Sequence, residues 1–298
     1  TRLATEKELR AQALKHAGWF IRNGTTTIEA KSGYGLTLAD ELKSLRVIRD
    51  LQQQSALECV PTFLGAHAIP EEYGNDVQEY VELIVREMLP AVASGRLAEY
   101  CDIFRERGYF DEGSTRQILG AARANGLALR MHVDQLTNSG GAQLAAEFSA
   151  TTADHLEQTT RDGIAALRGA QVQPVLLPGS VYSLGKSRYP LAREMIEAGL
   201  AVVLATDFNP GSSPTPSMPM VLSLASTQMR MTPAESVTAG TINAAYSLNR
   251  GDKIGSLEEG KLANFAIYDC ADYREIAYYF GLCLIHSVYV RGARAFAA

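Results

Sequence analysis

Short apolar runs alternate with longer amphipathic stretches through roughly the first 250 residues, and no other feature constrains the fold of this chain as strongly. Runs too short for a helix and bounded by Gly or Pro read as strands; intervening segments with apolar residues every third or fourth position read as helices. Strands are read in "TTTIEAKSGYG", "ECVPTFLGAHAIP", "EYCDIF", "ALRMHVDQL", "ATTADHLEQ", "QVQPVLLPG" and "AVVLATD". Helices are expected over residues 39–54, 75–93, 115–126, 140–148, 161–170 and 189–199, then near 217–229 and 232–247. The opening segment, "TRLATEKELRAQALKHAGWFIRNG", reads as helical from its first turn, with Leu3, Leu9, Ala13, Leu14, Ala17 and Phe20 as its apolar stripe.

Strand–helix cycles of this kind pair their strands in parallel under a layer of helices. Seven cycles opened by a helix predict an α/β fold of the TIM-like (β/α)8 barrel type over residues 1–250, with the first strand, and so an N-terminal part, missing from this chain. A doubly wound dinucleotide fold is disfavoured, because no G-x-G-x-x-G loop follows any strand. From 251 to 298 the texture changes. "GDKIGSLEEGKLANFAIYD" and "IHSVYVRGARAF" alternate in period two, with Gly255, Gly260 and Gly292 as turn residues, and predict a small antiparallel β-piece.

Composition removes several function classes. Hydrophobic residues make up 46% and charged residues 20% of 298, which suits a globular chain with a sizeable core. A net charge of -5 argues against a general nucleic-acid binder and against a basic membrane-surface protein. No apolar run approaches the length of a membrane span. The four cysteines are scattered and form no C-x-x-C, so they read as small buried hydrophobes of a reducing compartment, with the cytoplasm as the expected location.

Six polar residues, Tyr34, His67, His132, Gln135, His155 and Asp207, fall at or just past the C-terminal ends of these strands, where a barrel carries its chemistry. A carboxylate ending a buried strand, as Asp207 does in "AVVLATDFNPGSS", is costly unless something pairs with it. A lone strand histidine is more often structural than functional. Three histidines and one aspartate converging on one barrel mouth instead suit a transition-metal ion, which favours imidazole and carboxylate ligands. The competing reading of Asp207 is an Asx-turn or helix N-cap within Asp207-Phe208-Asn209-Pro210. His16, in the first helix, is expected at the surface or an interface, and His286 is expected to be structural.

These motifs carry a resemblance. "MHVDQL", "DHLE" and "ATDFNPGSSPTPSM" resemble the later strand-end motifs of the metal-dependent amidohydrolase superfamily. "KSGYGL", "TFLGAHAIP" and "ATDFNPGSS" together resemble the imidazolonepropionase family of histidine degradation, and "GSLEEGKLANFAIYD" resembles the superfamily's return to its β-sandwich domain. Each motif is moderately specific; the ordered set, spanning essentially the whole chain, is much more so. The resemblance implies hydrolysis of the cyclic amide of 4-imidazolone-5-propanoate to N-formimino-L-glutamate with one transition metal, Zn or Fe. It implies metal ligation by His132 and Asp207, and catalysis by Asp207 and His155. Tyr34, His67, Gln135, Asn209, Gly211 and Ser212 would bind substrate. A homodimer is expected on the same ground, with a small-molecule substrate, no nucleic acid and no membrane.

Two departures from the family stand out. Some relatives carry Glu at the Gln135 position, and Gln cannot act as a general base, so proton removal falls to Asp207 with His155. The family's first strand also ends in a His-x-His pair that supplies two ligands, followed by an Arg for the propionate. No His-x-His occurs in these 298 residues, so the expectation is a truncated chain holding two of four ligands. The alternatives are another amidohydrolase, such as an aromatic-base deaminase, or a metal-free, inactive homologue whose strand-end histidines are only hydrogen-bonded.

Overall fold

The structure is a computed structural model that describes residues 1–74 and 76–298. Helix α1 runs Glu6–Arg22. It starts later than the periodicity suggests because Thr5 caps it: the Thr5 hydroxyl accepts from Glu8 N–H while the Glu8 carboxylate accepts from Thr5 N–H. Leu3 precedes the cap and is fully exposed, so it does not belong to the apolar stripe.

The repeat then unfolds as β1 (Thr27–Lys31), α2 (Leu38–Gln54), β2 (Glu58–Ala66), α3 (Val77–Leu83), α4 (Leu89–Ser94), β3 (Tyr100–Arg105), α5 (Glu112–Ala124) and β4 (Ala128–Val133). It continues with α6 (Gly141–Glu147), β5 (Thr152–His155), α7 (Arg161–Ala170), β6 (Gln173–Leu176), α8 (Pro178–Ser183), α9 (Ala192–Glu197) and β7 (Val203–Leu204). Helices α10 (Met218–Gln228), α11 (Pro233–Gly240) and α12 (Ile242–Ser247) follow. The seven strands form one parallel sheet in sequence order, β1 to β7, and among the described residues its two ends are not paired with each other. This is a curled barrel left open between β1 and β7.

Strand alternation separates two environments. Cys101, Ile103, Leu129, Met131, Val133 and Ala153 are buried in the main apolar core beneath the helices. The intervening residues, Asp102, Arg130, His132, Thr152 and Asp154, take the other face together with Glu29, Lys31 and Thr62, and make the barrel lumen polar.

Four differences from the sequence reading stand out. The helix expected over 75–93 begins outside the described residues, and the rest is α3 and α4 joined by a π turn, Ile84–Met88. Pro90 lacks an N–H and its ring crowds the carbonyl four residues back, at Arg86, which the wider turn accommodates. Strand β7 has two ladder residues where seven were expected, and among the described residues it pairs with β6 alone. The helix expected over 232–247 breaks at Thr241, whose ψ of -95° is not helical. Most of 251–264 forms turns instead of strand. Its Gly255 (φ +91°) lies so close to α12 that a Cβ would stand 2.7 Å from that of Ala245.

The chain ends in β8 (Phe265–Tyr268), α13 (Glu275–Tyr278), β9 (Ile285–Val290) and β10 (Ala293–Ala297). The strands form an antiparallel sheet in the order β10-β9-β8, and Ile285 and Val288 pack on Ala17, Phe20 and Ile21 of α1.

The loop after β1 carries Tyr34, and one buried carboxylate shapes it. Glu41 of α2 accepts from the backbone N–H groups of Gly33, Gly35 and Leu36 at 2.9, 2.9 and 2.8 Å. Leu36 is held at φ +58°, a left-handed conformation that a branched side chain avoids without such support. In Glu41→Gln an amide NH2 faces backbone donors, so unfolding free energy should fall by about 1–3 kcal/mol. The check is a urea transition midpoint at constant slope; an unchanged midpoint would remove Glu41 from this role.

Candidate active site

All nine residues expected at the site line one cavity of about 1280 Å³ that runs from the C-terminal ends of the strands into the gap beside β1 and α1. Rings form a continuous path across its floor. Tyr34 meets His67 edge-on at 5.1 Å between centroids, His67 lies 6.0 Å from Phe104, Phe104 6.3 Å from His132, and His132 5.3 Å from His155. Asp207, Asn209, Gly211 and Ser212 come from the loop after β7, and Gln135 from the loop after β4. His16 also lines the cavity, on the α1 side of its gap, packed 4.9 Å from Trp19 and 5.0 Å from Phe208.

The question of the turn is settled by Asn209. Its Oδ1 accepts from Gly211 N–H and Ser212 N–H, both at 2.8 Å, and its Nδ2 donates to the Asp207 carbonyl at 2.7 Å. Asn209 is the Asx-turn residue. The Asp207 carboxylate is left with one contact, from Ser212 Oγ at 3.3 Å, and faces the cavity.

Strain is concentrated at these strand ends. Asp134, His155, Leu156 and Asp207 all have positive φ, of 52°, 79°, 69° and 51°. Such conformations cost on the order of 1–3 kcal/mol each and persist only when the surroundings over-determine them. Asp134 supplies part of that support, accepting from Ser139, Gly141 and Ala142 N–H and from the Thr159 hydroxyl.

Electrostatics sets the protonation of the lining. Burial lowers the His67 imidazolium to about 4, assisted by His132, so His67 is neutral near pH 7. Burial and then the Asp207 charge push the Tyr34 phenol up. Burial alone would lower His155, but Glu157, at 3.4 Å from Nδ1, outweighs it together with Asp207 and Asp154, so the imidazolium is favoured.

Beneath these residues lies a charge cluster that the sequence reading missed. Lys31 Nζ contacts Asp102 at 2.5 Å, Glu29 at 2.9 Å and Asp154 at 3.4 Å, and Arg130 Nε lies 3.4 Å from Glu29. Lys31 ends β1 and Asp154 is the penultimate residue of β5, but nothing in the sequence pairs them. Three carboxylates face two fixed cations here, which leaves the floor able to accept further positive charge. Donor atoms of Asp102, His132 and Asp154 lie within 4.8 Å of one another, a spacing that could hold a metal ion. Among the described residues, Asp154 Oδ1 is buried with no hydrogen-bond partner, and neither has His132 Nδ1. Orphaned polar atoms beside imidazoles and a free carboxylate fit a divalent transition metal.

Comparison with known proteins agrees with this chemistry. The sequence profile described as "Amidohydrolase family" matches residues 7–294, and the chain belongs to that family. Its relatives narrow the class. The chain is 62% identical to an imidazolonepropionase of Solibacter usitatus over 98% of its own length and 70% of that protein's, and 44% identical to one of Alkaliphilus oremlandii over 98% and 69%. Within the amidohydrolases its place is with the imidazolonepropionases. Solved structures of the same fold include E. coli guanine deaminase (TM-score 0.77, 13% identity, covering 98% of this chain and 75% of that one) and a zinc-bound adenosine deaminase of Xanthomonas campestris (0.74, 16%, 98% and 70%).

The depressed His67 pKa has a consequence for stability. Below about pH 6.5 the unfolded chain protonates this imidazole, while the folded chain resists until about pH 4. The contribution is therefore fully present above the unfolded pKa and is lost as pH falls toward 4. His67→Gln should flatten the fall in stability across that window, and NMR titration of His67 should give a midpoint near 4; a midpoint near 6.5 would contradict the burial argument.

Proposed function

We propose that the cavity hydrolyses the ring amide of 4-imidazolone-5-propanoate to N-formimino-L-glutamate. The observation that carries this reading is the Asp207 carboxylate: Asn209 builds the turn in its place, which leaves it facing the cavity in a chain 62% identical to an imidazolonepropionase. His132 and Asp207 would hold the metal, Zn or Fe. When bound, the ion supplies Lewis-acid polarisation of the carbonyl and acidifies water toward neutral pH.

The chain's own residues divide the remaining work. Asp207 takes the proton of the attacking water as its oxygen bonds to the ring carbonyl carbon, then returns a proton to the ring nitrogen as the C–N bond breaks. His155, held toward its imidazolium by Glu157 and Asp207, donates to the developing oxyanion. Gln135 has no basic function and contacts the ring through its amide. Tyr34 and His67, protonated phenol and neutral imidazole at pH 7, offer hydrogen bonds to the substrate. Asn209 is occupied within its loop, so it shapes the Gly211 and Ser212 backbone against the substrate. The free, buried thiols of Cys59 and Cys101 suit a reducing compartment such as the cytoplasm, and among the described residues no helix is long and apolar enough to cross a membrane.

The experiment is turnover of 4-imidazolone-5-propanoate, with guanine and cytosine in parallel, by protein of verified mass and metal content after reconstitution with Zn or Fe. Ring opening is expected, and Asp207→Asn should lower kcat by at least about 10²-fold. Turnover of a base instead would assign a deaminase. Absence of both metal and turnover would sink the hydrolase reading of this chain.

A further inference from the structure

We propose that Lys31 is a positioning residue for His132, acting through Asp102. Its ammonium fixes the Asp102 carboxylate beneath the imidazole, so that His132 carries its proton on Nδ1 and presents Nε2 to the cavity. The proposal rests on His132 being a metal ligand, as read above.

The Asp102 carboxylate is immobilised at both oxygens. Oδ1 accepts from Ile103 N–H at 2.7 Å, and Oδ2 accepts from Lys31 Nζ at 2.5 Å. The same Oδ2 stands 2.9 Å from His132 Nδ1, and Asp102 is fully buried. That last contact is short but oblique to the ring N–H, which is why Nδ1 lacks an aligned partner. With Asp102 locked, a rotation of the ring is what would align the N–H with the carboxylate. A carboxylate on the far nitrogen fixes the tautomer and orientation of a ligating histidine.

Lys31 also decides between two roles for Asp102. The donor atoms of Asp102, His132 and Asp154 are close enough to hold a metal ion by themselves. Lys31 Nζ already contacts both carboxylates, at 2.5 and 3.4 Å, and supplies the positive charge there. Asp102 is thus held as a support for His132, and the cavity-facing nitrogen is left for the ligand role. Sequence distance hid this arrangement: Lys31 and His132 lie three strands apart, on β1 and β4.

The test is histidine ¹⁵N NMR of the metal-free chain, which reads the tautomer of His132 directly, together with zinc affinity by chelator competition. Wild type and Lys31→Arg should show a single Nδ1–H tautomer and similar zinc affinity. Lys31→Met and Asp102→Asn should show mixed tautomers and zinc affinity lower by about 10–100-fold. If Lys31→Met fails to fold by circular dichroism, the near-isosteric Asp102→Asn carries the comparison. A wild-type His132 protonated on Nε2 would overturn the proposal. So would a variant, Lys31→Met where it folds or Asp102→Asn, that keeps the single Nδ1–H tautomer and wild-type zinc affinity. Loss of the hydrolase reading, seen as absent turnover by wild type, would leave the tautomer measurement standing as a separate result.

Discussion

A lysine ammonium held among three carboxylates inside a barrel is the interaction on which the rest of this structure depends. Removing such charges from water costs several kcal/mol per ion, and the cost is offset only where geometry and further hydrogen bonds are good. Here they are. Burial would lower the Lys31 ammonium, yet Asp102, Glu29 and Asp154 hold it well above its ordinary range. Burial would raise Asp102, yet His132 and Lys31 hold it far below the usual carboxylate range. Arg130 extends the cluster, donating to Thr152 Oγ1 at 3.2 Å and to the Ser247 carbonyl while its guanidinium covers the Tyr100 ring at 4.4 Å. One network thereby ties β1, β3, β4 and β5 to α12.

The same network fixes register. A barrel lumen is ordinarily filled by branched aliphatic side chains; here its middle layers are charged. Because side chains alternate along a strand, a slip of one residue in β3 would send Asp102 into the apolar layer that holds Cys101 and Ile103, and those residues into the lumen. An unpaired carboxylate in that layer is prohibitive. The charges thus exclude misregistered pairings strongly, whatever their net contribution to stability. A rigid lumen also permits the strain above it: four left-handed backbones at the strand ends stay fixed because the strands below them cannot shift.

Much of this was legible in the sequence. The strand–helix rhythm located all seven barrel strands, and the rule that barrel chemistry gathers at strand ends located Tyr34, His67, His132, Gln135, His155 and Asp207, which line one cavity. What was lost depended on three-dimensional neighbours. The alternative Asx reading of Asp207 could not be dismissed until Asn209 was seen to build the turn. His16 looked peripheral because nothing in a helical stripe records that Phe208 packs against it. Lys31 and Asp102 went unremarked because a single charge in a strand has no meaning until its partner, about 70 residues away, is known. The π turn reflects Pro90, which acts on the helix hydrogen-bond ladder and leaves periodicity untouched.

The opening between β1 and β7 bears on the chemistry and not only on the architecture. The cavity continues from the polar floor into that gap, where Ala13, Ala17 and Phe20 of α1 and Leu51 of α2 line it. Electrostatic catalysis works through a low local dielectric: a charge pair about 4 Å apart interacts several-fold more strongly at an effective dielectric near 20 than in bulk water. In the roles proposed for them, Asp207 and His155 would act with a strength set by how well that flank excludes water. Lys31, which ends β1 and contacts Asp102, belongs to the charged floor beside that opening.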